Sequence, residues 1–577
     1  MIAAIIGLVM GTVAMAFIMP LHWIEQWVAT ANRDLLFWLI PVAPIVGALL
    51  TGLVLAVLGE KGQAPGVSAV MYSIHRKKSR MELRIALGKW IASTLTIGSG
   101  GSAGAEGPIV TIGSVIGSNI GRVFRANTQN TATLLGCGAA AGIASVFNAP
   151  FAGIFFTLEI LLRDFSLRTF TPIVIAAVIS SAWTRGMVGD QPLFGVGPAF
   201  FTGQSQFTVW QVPVYLGLGL ACGVTGAMFT RGLTLSETLF RRIRAPLILK
   251  PAIGAAALGL IGLVYMLWAG PASRAMPEFY GNGYPVITQM LDPAFYYDSG
   301  NALKPGSLFA LIVAIGTLKL IATCLTIGSG GSGGLFAPSL LLGACVGGAF
   351  GYVAAALGWF PGATPAHYAL VGMGAMIAAT AHAPLTAILL VYEITQSYSI
   401  ILPLMFAAVI STIVGRLVYP ESVYTVKLSQ MGVRVGTLSD LTILRRLSVH
   451  DVPLVPAVLV HTNHSAQRLL ELSEKHLVRD FVVVDDRDRY IGMVTGADLS
   501  AALVYREAIP LLQVHEMQRV DLPTVTMDES LDLVLDKFSK HDAHSLAVLD
   551  GNDGRKVRGL ITRVRLMDRY QAALARD

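Results

Sequence analysis

Charged positions are scarce up to Arg416 and ordinary after it. No Asp, Glu, Lys or Arg interrupts Leu35 to Gly59, Ala126 to Leu158, Gln191 to Thr230, Pro251 to Ser273, Leu320 to Tyr392 or Ile394 to Gly415. A membrane-crossing helix takes about 20 apolar residues, so several of these runs hold more than one helix. Met1 to Ile24 has no basic n-region and no small-residue cleavage site, which predicts a retained helix rather than a signal peptide. Ala64 to Ser68 predicts a loop entering a short helix, and Arg84 to Ile97 predicts a helix. From Ser448 the pattern changes. Runs such as Phe481 to Val484 and Ser545 to Leu549 predict strands. Amphipathic stretches such as Ser465 to Lys475 and Ser530 to Lys540 predict helices.

The apolar part is duplicated. Leu95-Thr96-Ile97 leads into Gly98-Ser99-Gly100-Gly101-Ser102-Ala103-Gly104-Ala105-Glu106-Gly107-Pro108. Leu325-Thr326-Ile327 leads into Gly328-Ser329-Gly330-Gly331-Ser332-Gly333-Gly334-Leu335-Phe336-Ala337-Pro338, 230 residues on. Asn148-Ala149-Pro150 with Glu159 nine residues later likewise returns as His382-Ala383-Pro384 with Glu393. Glycine-rich backbone at membrane depth is tolerated only when buried in protein or lining a cavity. A helix that starts there turns free N–H groups and the positive end of its dipole on whatever lies ahead. Two such starts aimed at one point make an anion site without cationic side chains. The plainer reading, small-residue packing between helices, does not account for two copies in register that both end in Pro. The repeat predicts halves at about 30–190 and 210–420.

Composition agrees. The 577 residues are 54% hydrophobic and 13% charged, with mean hydropathy +0.63, which marks a polytopic membrane protein with a soluble attachment. Net charge is only +7. The basic clusters His75-Arg76-Lys77-Lys78 and Arg241-Arg242-Ile243-Arg244 read as cytoplasmic loops. No aromatic or basic face accompanies them, so nucleic acid is not an expected partner. Cys137, Cys222, Cys324 and Cys345 lack metal-ligand spacing and read as small buried residues. In the tail, Gly492-Met493-Val494-Thr495 returns as Gly559-Leu560-Ile561-Thr562, which predicts two related α+β modules.

These motifs resemble the CLC family of chloride channels and anion/proton antiporters over nearly the whole chain. Its patterns GSGIP, G(K/R)EGP and GxFxP are similar to Ala64–Ser68, Gly104–Pro108 and Gly334–Pro338, and its late tyrosine motif is similar to Ser422-Val423-Tyr424. The tail resembles a tandem of CBS (cystathionine-β-synthase-type) domains. The fold class expected is an all-α polytopic membrane protein with internally repeated halves and broken helices, plus a cytoplasmic α+β tandem CBS domain. The expected boundaries are 1–430 for the membrane domain, 431–447 for a linker, and 448–506 and 507–577 for the two modules.

The resemblance implies a homodimer in the bacterial inner membrane, with a pore in each subunit. It implies chloride as ligand and Glu106 as a carboxylate gate that occupies the outer anion site and swings away. It places the anion among Pro65, Gly66, Ala105, Gly107, Leu335, Phe336, Ala337 and Tyr424. A carboxylate suits the gate because it mimics the permeant anion, and protonation ends the competition. It also implies nucleotide contacts at Thr495 and Asp498, adenine nucleotide being the candidate ligand, with no cofactor required. The alternative for the tail is two structural modules.

Three departures from the pattern bear on function. Pro65 stands where the first motif has Ser, and Ser68 where it has Pro. The resemblance ties Pro there to nitrate tolerance; the plainer reading is a stiffer loop. Ala105 replaces a basic residue. Ile160 occupies the position of the antiporters' inner proton-relay glutamate, and isoleucine carries no proton. Glu159 points roughly 100° away on a helix and repeats as Glu393, which favours a structural role for both. Ile160 therefore favours passive conduction, with proton-coupled antiport the alternative. An intramembrane serine hydrolase would need a His and an acid near Ser99, Ser102 or Ser332. A divalent-cation transporter would need acidic membrane ligands, and Leu320 to Tyr392 carries no charge.

Overall fold

The computed structural model describes the chain except residues 35–38, 59–65, 78, 190–192, 195–208, 270–275, 299–301, 360–363, 397, 432, 434–443, 445–446, 477, 504–508, 542, 551–555 and 575–577. It divides into two compact units, Met1–Val435 and Gly436–Asp577.

In the first unit, nine helices among the described residues are long and apolar enough to cross a membrane, and two apolar segments, Pro150–Leu162 and Pro384–Thr395, are shorter. Among the described residues, eight α-helical segments follow one another in each half. Ile2–Asp34, Leu39–Leu58, Val67–Arg76, Leu83–Gly98, Glu106–Val123, Thr128–Phe147, Pro150–Leu162 and Leu167–Val188 are matched by Val212–Arg242, Leu249–Ala269, Tyr284–Met290, Gly306–Gly328, Phe336–Ala356, Pro365–Ala381, Pro384–Thr395 and Ile401–Val418. Ile2–Asp34 packs on Leu167–Val188 as Val212–Arg242 packs on Ile401–Val418. The first half thus reaches back to the first helix, beyond the residue 30 expected from motifs. That helix's glycines match its partner's: Gly7 and Gly11 lie against Ala176 O and Ser180 O as Gly219 and Gly223 lie against Ala407 O and Ser411 O, at an offset of 212 rather than 230. It lies on the repeat through apolar contacts, Ile24 against Gly98.

Both halves break their helices by the same local chemistry. After Gly98 the chain closes with Gly100 N–H donating to Ile97 O (3.0 Å) and Gly101 N–H to Thr96 O (2.8 Å); after Gly328 the bonds are Gly330 to Ile327 (3.0 Å) and Gly331 to Thr326 (2.9 Å). This is the Schellman closure, which needs a left-handed residue past the cap. Gly100 and Gly330 supply it, each with φ of 106°. Ser99 and Ser329 turn their hydroxyls back to Thr96 O and Thr326 O.

The second unit holds two three-stranded sheets. Leu459–His461 pairs in parallel with Phe481–Val484, which pairs antiparallel with Tyr490–Val494; Val525–Thr526, Ser545–Leu549 and Val557–Thr562 repeat that order. Strand alternation splits the first sheet between two cores. Phe481 and Val483 pack with Val460, Leu469 and Val514. Val482 and Val484 pack with Leu546, Val548 and Ile561 of the other module. The modules therefore share a core. Asp480 joins them further, accepting from Gly496 N–H (2.9 Å) and from the Ser545 hydroxyl.

Candidate anion gate between the glycine loops

The two glycine loops meet. Gly104 N–H donates to Gly334 O (2.9 Å) and Gly334 N–H to Gly104 O (2.7 Å). The hydroxyl-bearing residues around them exchange partners in the same reciprocal way. Ser102 N–H donates to Thr326 Oγ1 (3.1 Å) and Ser332 N–H to Thr96 Oγ1 (3.3 Å). Ser102 Oγ lies 2.9 Å from Thr323 Oγ1, and Ser332 Oγ 2.8 Å from Ser93 Oγ. Every pair exchanges residues 230 apart, so a local two-fold relates the loops. Buried loop backbone must find partners, and here each loop supplies them to the other.

Glu106 is the first residue of its helix and is 2% exposed. Its Oε1 accepts from Phe336 N–H (2.5 Å) and Ala337 N–H (3.2 Å), at the start of the helix of the other half. Its Oε2 is buried without a hydrogen-bond partner. A carboxylate thus sits where the helix dipole and free N–H groups favour an anion. The fit also fixes glycine at two positions. A Cβ on Gly104 would run into both Glu106 oxygens, and one on Gly334 would meet Glu106 Oε1 and lie 2.6 Å from Gly107 N.

A chamber of about 50 Å³ adjoins the site, with room for water-sized occupants. Gly66, Ser68, Gly107, Gly334, Leu335 and Tyr424 line it. Among the expected site residues it thus gathers Gly66, Gly107, Leu335 and Tyr424, while Phe336 and Ala337 hold Glu106. Ala105 is buried as the N-cap of the Glu106 helix. Pro65 lies outside the described residues. Phe156 stacks edge-on against both Phe336 and Tyr424, with centroids 6.2 and 6.0 Å apart. Gly66, with φ of 58°, caps the short helix Val67–Arg76. Ser68 donates its hydroxyl to Tyr424 O at 2.7 Å, tying the first motif to the tyrosine.

Ile160 is buried, in a π turn over Thr157–Leu162. Its neighbour Glu159 accepts from Thr386 N–H (2.8 Å), the Thr386 hydroxyl (2.6 Å) and Leu385 N–H (3.3 Å). Glu393 accepts from Phe151 N–H (2.9 Å) and Ala152 N–H (2.7 Å). Each glutamate caps the opposite half's short helix, a helix-terminus role.

Sequence reasoning missed Lys319. It is fully buried and donates to Phe279 O (3.2 Å) and Gly281 O (2.7 Å). Gly281 O also accepts from Ala103 N–H at 3.3 Å, so the lysine backs the first loop. The 230-residue offset pairs Lys319 with Lys89, a signal open to inspection beforehand.

In the tail, Thr495 and Asp498 form a capping box. Thr495 N–H and its hydroxyl donate to Asp498 Oδ2 at 2.9 and 2.6 Å. In the second module Arg565 replaces the acid and donates to Pro453 O (3.1 Å) and Leu454 O (3.0 Å).

Crossed glycine loops, a carboxylate seated on a helix start and a buried chamber beside it define a membrane protein that handles small anions. Residues 46–416 match the signature of the voltage gated chloride channel family, and residues 449–505 and 514–572 each match the CBS domain. The chain is 33% identical over 437 residues to a putative chloride channel protein ClcB-like of Ralstonia nicotianae, covering 73% of this chain and 95% of the relative. It is 31% identical over 443 residues to the H(+)/Cl(-) exchange transporter ClcA of Citrobacter koseri, covering 74% and 87%. A solved slow cyanobacterial Cl-/H+ antiporter superposes with TM-score 0.63 at 26% identity, over 74% of this chain and 97% of its own. A eukaryotic CLC transporter superposes over 98% of this chain with TM-score 0.60 at 19% identity, a likeness of fold. The chain belongs to the CLC family, whose members are membrane anion transporters and channels, not enzymes.

Proposed function

We propose that this chain carries chloride or kindred small anions across a bacterial inner membrane, as a homodimer with one passage per subunit and its tail in the cytoplasm, in exchange for protons. The observation that carries the reading is the Glu106 carboxylate resting on Phe336 and Ala337 N–H across the paired loops. A permeant anion competes for the same donors, and a proton on Glu106 ends the competition, so one group links both ions. Exchange is favoured over passive flow because relatives and a solved neighbour with more than a quarter of their residues identical are named as exchangers. Passive conduction has one observation on its side, the apolar Ile160. Reconstitution into liposomes separates the two. A chloride gradient should drive protons uphill; chloride efflux without proton movement selects passive conduction. Nitrate efflux in the same vesicles reads the selectivity attached to Pro65.

The tail is proposed to take at most one adenine nucleotide, at Thr495 and Asp498 of the first module. Calorimetry of the full chain with ATP should give one site per chain, lost in Asp498→Asn. Heat unaltered in that variant removes the assignment.

A further inference from the structure

Beside the Tyr424 chamber lies a larger cavity of about 370 Å³. Among the described residues, Lys89, Arg241, Lys250 and Lys427 line it with one acid, Glu237, and with Gly328 to Gly331 of the second loop. The two spaces share Glu237, Ile327, Gly331 and Lys427 as walls. Glu237 and Lys427 are bonded there, Nζ to Oε2 at 2.6 Å, with side chains only 17% and 23% exposed. A four-cation cavity draws in anions, and clefts with apolar walls focus that field. The acid and lysine stand in the wall common to this cavity and the chamber lined by Gly334 and Tyr424.

We propose that the Glu237–Lys427 pair is a second carboxylate gate, set between a basic vestibule and the Tyr424 chamber. The proposal rests on the anion route above and not on proton exchange. In the closed arrangement Glu237 occupies Lys427. An arriving anion takes the carboxylate's place on the ammonium once Glu237 swings aside, and no covalent bond changes. Charged and titratable groups facing Glu237 come from each neighbouring element that lines the two spaces: Lys89 from Leu83–Gly98, Lys250 from Leu249–Ala269, Lys427 from Val426–Gln430, Tyr424 before it, and Arg241 one turn along Glu237's own helix. All are cations save the tyrosine, so among the described residues Glu237 is the acid of the vestibule lining. Arg241 belongs to a basic cluster of the kind that faces the cytoplasm.

The repeat supports a gating position. Ser236 lies over Gly328 as Ile24 lies over Gly98, so Glu237 and Glu25 are counterparts on the first helix of each half. Glu25 is within electrostatic reach of Lys319, the repeat partner of Lys89. Each glycine loop therefore has one acid and one lysine behind it.

The test uses full-length protein in oriented liposomes, with chloride varied on the vestibule side. Glu237→Gln should lower the chloride KM from that side about tenfold, the order expected for removing one competing charge-assisted bond. Lys427→Met should depress flux about tenfold, and the double variant should recover most of it, because the stranded carboxylate is gone. An unchanged KM in Glu237→Gln, or a double variant as poor as Lys427→Met, overturns the gate. Should these variants fold poorly, Glu237→Asp decides. A carboxylate one methylene shorter reaches Lys427 less well, so a lowered chloride KM supports the gate and an unchanged KM rejects it. Absence of anion flux in the unaltered protein strikes the route itself, a separate failure.

Discussion

The two glycine loops share scaffold, closure and hydroxyl partners, yet of the four pairs of positions at which they differ one carries a charge. Glu106 in the first corresponds to Phe336 in the second. The acid of one loop rests on the backbone N–H of its own counterpart. A duplicated scaffold supplies symmetric donors, and one substitution sets a carboxylate in one half onto the donors of the other. The difference teaches that polarity here comes from a single side chain, while strength and placement come from backbone common to both halves.

Removing that side chain's charge should have the largest effect. Glu106→Gln frees Phe336 and Ala337 N–H from a charged acceptor, bonds worth about 1.5–3 kcal/mol each. Anion affinity at that place, read by calorimetry with bromide, should rise roughly tenfold or more, and flux should lose its dependence on pH. Flux still pH-dependent as in the unaltered protein would falsify the gate at Glu106.

The next comparison sets Gly104 against Gly334. In Gly104→Ala the three atoms nearest the new Cβ all belong to the Glu106 carboxylate, so the change should displace that carboxylate and mimic its loss. Added to Glu106→Ala it should cost nothing further. Gly334→Ala also presses on Gly107 N, so Glu106→Ala should not rescue it. Equal rescue of both, in flux and in monodispersity on size exclusion, would contradict the close approach described.

The smallest effects should be the symmetric ones. Glu159→Gln and Glu393→Gln each weaken a cap on the partner half's helix and should each lower stability by about 1 kcal/mol. Thermal unfolding in detergent should show the two equal within error, with anion-to-proton stoichiometry unmoved. A stoichiometry altered by Glu159→Gln alone would make it a relay rather than a cap.

Sequence made the repeat, the broken helices and the carboxylate legible because each leaves a local mark: glycine where a left-handed turn is needed, Pro inside a helix start, an acid in an uncharged run. Tail strands were equally plain from their β-branched runs, Phe481–Val484 and Ser545–Leu549. What stayed hidden depends on residues far apart in the chain. Ser68 meets Tyr424 across 356 positions, and Glu237 meets Lys427 across 190. Neither spacing follows from any periodicity. The caps by Glu159 and Glu393 were half visible: their repetition signalled structure, but only folding shows that each serves the other half.

The mutual amide–carbonyl stitch between Gly104 and Gly334 has a consequence for how such a conduit works. Halves sewn together there cannot part without tearing both stitches at once. On the proposed anion route, admission then falls to small excursions of individual carboxylates against a stationary frame, with turnover set by how fast those arms swing rather than by the tumbling of whole domains.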